Sequence, residues 1–159
     1  MTLNKTQSPV LYFGYCTMLE AAEMHRLCPG ARPLGIYQLV GYKMRFSAFH
    51  DSPSQGSCDL DVLDEHRLWG LLYDMVPAEY DALDLMAGVD KGYLHRIEIG
   101  VVNDAGETRA ATTYCSPNPG GPFKPTRAYT RPILAGAREL SLPASYIQEL
   151  DDIVKTAQV

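Results

Sequence analysis

The period of apolar and polar positions changes several times along the chain. Val10 to Tyr15 is a continuous apolar run of aromatic and branched residues, the pattern of a buried strand. It breaks into Tyr15-Cys16-Thr17-Met18, and Leu19 to Leu27 then reads as a short helix stopped by Cys28-Pro29-Gly30. Two extended segments come next, near Ala31–Leu39 and Tyr42–Ser47, before a turn-rich, exposed stretch at residues 50–56. Ser57 to Leu63 alternates, as a half-buried strand does, and Arg67–Met75 is apolar enough for a central strand. Pro77 suits the first position of a helix ending near Met86, with Gly88 as its stop. Tyr93–Val102 and Thr108–Cys115 form a hairpin around Asn103-Asp104-Ala105-Gly106. The proline- and glycine-rich stretch Ser116–Pro125 is a loop, either a cavity lid or rim or a plain surface connection. Pro125–Ala137 and Pro143–Lys155 read as two closing helices.

There is no internal repeat and no linker. The pattern therefore predicts a loose tail over residues 1–9 and one α+β domain over 10–155, with mostly antiparallel strands. Composition agrees: 159 residues, 46% apolar and 21% charged, suffice for one packed core. A net charge of −5 and the lack of a basic stripe argue against nucleic acid as partner. No run approaches membrane-spanning length, and the polar start lacks a signal peptide's apolar middle, so a cytoplasmic location away from membranes is expected. Cys16, Cys28, Cys58 and Cys115 are far apart without a CxxC pair and are expected to be four reduced thiols. His25, His50, His66 and His95 are scattered without metal-ligand spacing, so neither metal nor other cofactor is expected.

A strand running into a short loop and a helix start places backbone N–H groups together, which makes Tyr15–Met18 the expected ligand cradle. The same loop carries a resemblance. Tyr15-Cys16-Thr17-Met18-Leu19 lines up with the Tyr-Gly-Ser-Asn-Leu loop of the γ-glutamylcyclotransferase-like, or AIG2-like, superfamily. Further matches run in order: Cys28-Pro29-Gly30-Ala31, Gly41-Tyr42 with Phe46, Trp69-Gly70 with Leu72-Tyr73, and Leu83-Asp84. After these come Gly88-Val89, Gly92-Tyr93, Tyr129, Gly136-Ala137 and Leu142-Pro143 with Tyr146, so the resemblance spans roughly residues 10 to 150. It implies a small, mostly antiparallel, barrel-like sheet flanked by helices, with a pocket at the first loop. It also implies a chemistry. In such enzymes the substrate's own α-amine attacks its γ-carbonyl and releases 5-oxoproline, loop N–H groups hold a substrate oxygen, and a glutamate moves the proton.

The chain departs from that pattern where the chemistry is carried. In Leu83-Asp84-Leu85-Met86-Ala87-Gly88-Val89 the family's glutamate falls on Ala87, which carries no proton. Losing a positioned acid/base typically costs ~10²–10⁴ in rate. Cys16 replaces the loop glycine and Met18 its asparagine, so the mouth is less polar than the family's and poorly suited to a zwitterionic γ-glutamyl group. Three residues are weighed as replacement chemistry. Glu20 begins the first helix and would face the pocket, against a plain surface role. Glu98 would point inward from its strand, against a solvated face. Cys16, before a helix start that favours a thiolate, would be a nucleophile, against a small buried filler; no histidine is an obvious partner along the chain, and His25 and His95 are the ones that folding could bring near. Asp59 and Asp61 read most simply as a solvated edge, and Asp84 as structural. Tyr15, Tyr93 and Tyr129 match family tyrosines and join Cys16, Thr17, Met18 and Ala87 as candidate ligand-binding residues, against core aromatics with satisfied hydroxyls.

These residues support three functional readings. The first is a diverged enzyme of this fold acting on a small molecule by intramolecular cyclisation, amide or ester cleavage, or a proton-transfer lyase or isomerase step, in specialised metabolism. The second is a non-catalytic small-molecule-binding protein or partner subunit. The third is a γ-glutamylcyclotransferase whose carboxylate has moved, to Glu20 or Glu98. Oligomeric state is open, a homodimer included.

Overall fold

The computed structural model describes residues 10–158; the expected tail over 1–9 lies outside the described residues. Five strands close a barrel in the order β1-β3-β2-β4-β5: β1 Val10–Gly14, β2 Arg32–Phe49, β3 Gly56–Met75, β4 His95–Val102 and β5 Thr108–Cys115. Neighbours pair antiparallel except at the closing seam, where β1 meets β5 in parallel at Tyr12 and Thr112. Helices α1 Ala21–Leu27, α2 Pro77–Met86, α3 Arg127–Glu139 and α4 Ala144–Gln158 flank the barrel. This is the α+β, mostly antiparallel, barrel-like fold that the loop and its ordered matches imply.

Four expected strand segments merge into two long strands. The pattern breaks near Gly41 and between Leu63 and Arg67, yet β2 and β3 run through both places. Val40 pairs with Arg67 and Tyr42 with Val62, so residues 63–66 bulge out opposite Gly41. Gly41 at φ +95° and Glu65 at φ +66° absorb the bend, so the strands curve without ending. The hairpin forms as expected: Asn103 Oδ1 accepts from the N–H groups of Ala105 and Glu107, and Gly106 closes the turn at φ +82°.

The core divides into two clusters, one packed by α3 and α4 and one by α1 and α2. Phe13, Leu19, Met44, Leu68, Leu72, Ile133 of α3 and Leu150 of α4 are fully buried in the first cluster. A second cluster of Tyr12, Met24, Tyr73, Tyr80, Leu83 and Tyr114 packs α1 and α2 against β1, β3 and β5. α3 lies directly on the first loop because residue 136 is glycine: a Cβ there would stand 2.4 Å from Glu20 N and from the Leu19 carbonyl carbon.

The stretch Ser116–Pro125 is strapped to the ends of β2 and β3. Gly120 N–H donates to Ser47 O at 2.9 Å, Phe123 N–H to Phe46 O at 2.7 Å, and Gly56 N–H to Lys124 O at 2.9 Å. These three bonds make it a connection laid along the strands, and none of residues 116–125 lines the cavity described below.

Candidate functional site

β1 delivers Tyr15 into the loop, and hydrogen bonds with β3 and β5 fix the chain on either side of it. Tyr15 Oη donates to Tyr114 O at 2.9 Å, Thr113 Oγ1 to Phe13 O at 2.7 Å, and Tyr73 Oη to Met18 O at 2.6 Å. A single 3-10 turn over Thr17–Leu19 then leads into α1, with Leu19 N–H on Cys16 O at 3.1 Å. These contacts occupy the loop's carbonyls. Among the described residues, the N–H groups of Cys16, Thr17 and Met18 have no acceptor.

Those three residues, with Tyr15, line a cavity of about 480 Å³. Its other walls come from α1 (Glu23, Arg26, Leu27), α2 (Leu83, Met86) with Ala87 just beyond it, the β2–β3 connection and the start of β3 (His50, Gln55–Cys58), and the start of α3 (Ala128, Tyr129, Pro132). Tyr12 and Tyr114 also line it. This size, with a largely apolar wall and a few convergent polar groups, suits a small-molecule site. Burial raises the Tyr12, Tyr15, Tyr114 and Tyr129 phenols, so each stays protonated at neutral pH and acts as a hydrogen-bonding group, not a base.

Tyr15, Cys16, Thr17, Met18, Ala87 and Tyr129 therefore meet on one cavity, whereas three other candidates stand off it. Glu20 does not face it. Gly136 brings α3 close enough for Arg131 to hold the buried Glu20 carboxylate with two hydrogen bonds, at 2.9 and 3.1 Å. Glu98 is exposed on β4 and does not line the cavity. Tyr93 packs on Gly88 and His50 and donates to Asp51 Oδ1 at 3.1 Å, so it stands behind the wall and supports it.

Cys16 is not a free thiol. It is bonded to Cys58 of β3, with 6.2 Å between the two Cα atoms, and only Cys28 and Cys115 are free. The expectation of four reduced thiols fails because the fold brings the loop after β1 to the start of β3, joining positions separated by 42 residues, which spacing along the chain does not show. Neither proposed histidine partner is at hand: His25 is bound to Ala31 O at 2.8 Å, and His95 is exposed at the edge of β4. Tyr129 Oη lies 3.4 Å from Cys16 Sγ and accepts from Cys58 N–H at 3.0 Å, so it touches both ends of the bridge.

Two aspartates also sit differently from a surface reading. Asp59 is 1% exposed and accepts from Ser47 Oγ, Leu60 N–H and Ser116 N–H at 2.8–3.0 Å. It is a buried knot tying β3 to β2 and to the end of β5, not a solvated edge. Asp84 accepts from Tyr114 Oη at 2.5 Å and from Arg96, whose guanidinium lies 3.5 Å over the Tyr80 ring. Asp84 thus orients one of the cavity's tyrosines.

Glu23, Arg26 and His50 are among the wall residues that the residue pattern did not single out as a site. Glu23 is the one carboxylate on the wall among the described residues, and Arg26 holds it at 2.7 Å, one helical turn away. The i, i+3 spacing of Glu23 and Arg26 is readable in the sequence; its placement on the cavity is not. Among the described residues no group of His, Cys, Asp and Glu side chains converges as a metal site, and no helix is long and apolar enough to cross a membrane.

The sequence profile of the AIG2-like family matches residues 67–150. The chain belongs to the AIG2-like family. Within its wider relationships, human γ-glutamylcyclotransferase is 27% identical over 147 residues, 90% of this chain and 78% of that protein. The mouse protein of the same name is 28% identical over the same coverage. A solved structure titled γ-glutamyl cyclotransferase superposes with a TM-score of 0.81 at 26% identity, covering 91% of this chain and 87% of the other. The AIG2-like match contains α2 and Ala87.

Proposed function

We propose that this chain is a diverged member of its family that takes a small, weakly charged molecule in the cavity at the Tyr15–Met18 loop and acts on it by cyclotransferase-type chemistry. One observation carries the reading: Ala87 lies on the wall where the resemblance expects a carboxylate, and the wall's one carboxylate, Glu23, is tied to Arg26. The N–H groups of Cys16, Thr17 and Met18 supply donors for a carbonyl oxygen, and the aliphatic side chains of α1 and α2 receive an apolar body. A reaction between two groups of the same bound molecule needs little more than this. Holding a nucleophile close to a polarised carbonyl supplies much of the acceleration, and the proton is left to water or to the substrate itself.

The Glu23–Arg26 pair favours a second reading, a γ-glutamyl cyclotransferase whose proton carrier has moved from position 87 to Glu23. There Arg26 would hold the carboxylate in place.

The two readings separate in a panel of small amides, esters and lactones tested by thermal shift and by mass-spectrometric turnover. Uncharged carbonyl compounds are expected to raise the melting temperature, and Met18→Asp, which puts a charge on the same wall, to abolish the shift. Stabilisation by none of them, with turnover of charged γ-glutamyl compounds alone, contradicts the first reading.

A further inference from the structure

We propose that the Cys16–Cys58 bridge is a thiol-exchange site, at which a low-molecular-weight thiol entering the cavity attacks Cys16 Sγ and remains there as a mixed disulfide. The proposal rests on the reading that the cavity admits small molecules.

Both bridge residues belong to the cavity wall. They differ in access. Cys16 is half-buried, whereas Cys58 is 4% exposed and its sulfur packs 3.4 Å from Met44 Sδ. The sulfur an incoming group can reach is therefore that of Cys16, and the one that leaves is that of Cys58. The electron pair of the incoming thiolate forms the new S–S bond, and the old S–S bond breaks onto Cys58 Sγ. Cys58 Sγ then takes up the proton that the attacking thiol gave up. One thiol and one disulfide become one mixed disulfide and one thiol, with no external oxidant or reductant. Return attack by Cys58 reverses the step and expels the small thiol. Tyr129, with its neutral hydroxyl 3.4 Å from Cys16 Sγ, is placed to donate to that sulfur during exchange.

The other two cysteines are unsuited to the same reaction. Cys28 is fully buried with its thiol against Glu79 O at 3.5 Å, and burial with the nearby Glu79 charge raises it. Burial with the Asp59 charge raises the Cys115 thiol. Neither lines the cavity.

The test incubates the native, oxidised protein with glutathione, cysteamine or 2-mercaptoethanol, blocks free thiols with an alkylating agent, and maps the product by mass spectrometry. The expected result is one adduct at Cys16 with the alkyl group on Cys58. In Cys58→Ala, exposed to glutathione disulfide, Cys16 is expected to be modified at least about tenfold faster than Cys28 or Cys115. Ala87→Trp, which narrows the cavity, is expected to slow exchange in the folded protein but not in denaturant. A bridge that exchanges only after unfolding, or an adduct that settles on Cys28, Cys115 or Cys58, overturns the proposal. So does an undiminished rate in Ala87→Trp, because the sulfur is then reached by another route. The readout is covalent mass, so a cavity that stabilises no carbonyl ligand leaves this result intact and fails separately.

Discussion

At the scale of single residues, the first loop is held by side chains that are far away in sequence. Tyr73 is fully buried on β3, and its hydroxyl reaches back to Met18 O at 2.6 Å. Tyr73→Phe leaves that carbonyl without this donor while keeping the ring's packing. The expected cost is about 1 kcal/mol in chemical denaturation, with weaker binding of any cavity ligand, because Met18 is no longer pinned. Unchanged stability and affinity would show that the loop holds its shape without the phenol. The residue scale is also where the sequence was least legible. Ala87, Cys16 and Met18 draw notice in the sequence only through the resemblance of the stretches around them. Glu23, His50 and Cys58 do not, since each is ordinary among its chain neighbours and reaches the cavity only when α1, the β2–β3 connection and β3 converge. Asp59 reads as a surface acid by alternation, but the loop after β5 folds over it and supplies the Ser116 N–H.

At the scale of elements, the helices and hairpin were readable from periodicity and turn chemistry. The long strands β2 and β3 were read as shorter pieces, because a left-handed residue looks like a terminator until its partner strand bulges to match. The contact of α3 on the loop depends on one missing methyl group. Gly136→Ala places a Cβ 2.4 Å from backbone atoms of residues 19 and 20, neither of which is a flexible side-chain end. The helix must retreat, so a loss of about 1–3 kcal/mol is expected in denaturant titration, together with lower ligand affinity at the loop. An alanine variant as stable as the parent would mean that α3 is free to shift, and would remove the reason given for the Glu20–Arg131 pairing.

For the whole molecule, the fold is that of its family. A bridge spanning 42 residues also ties the first loop to β3 across the barrel. In the chain-entropy account a loop of this length stabilises the folded state by about 4 kcal/mol. Reduction under native conditions is then expected to lower the melting temperature by about 10 °C for a domain of this size. Cys16→Ser with Cys58→Ser should melt near the reduced parent and respond no further to reductant. A melting temperature indifferent to reductant would separate the bridge from the stability of the fold.

The central claim is that the cavity works without a carboxylate at position 87. The measurement that tests it most directly is 5-oxoproline release from γ-glutamyl dipeptides and γ-glutamyl amines by the purified protein, beside its Ala87→Glu and Glu23→Gln variants. The account predicts no release from the parent above a heat-inactivated control, no change with Glu23→Gln, and any new release confined to Ala87→Glu. Steady release from the parent that disappears in Glu23→Gln would contradict it and assign the proton transfer to α1.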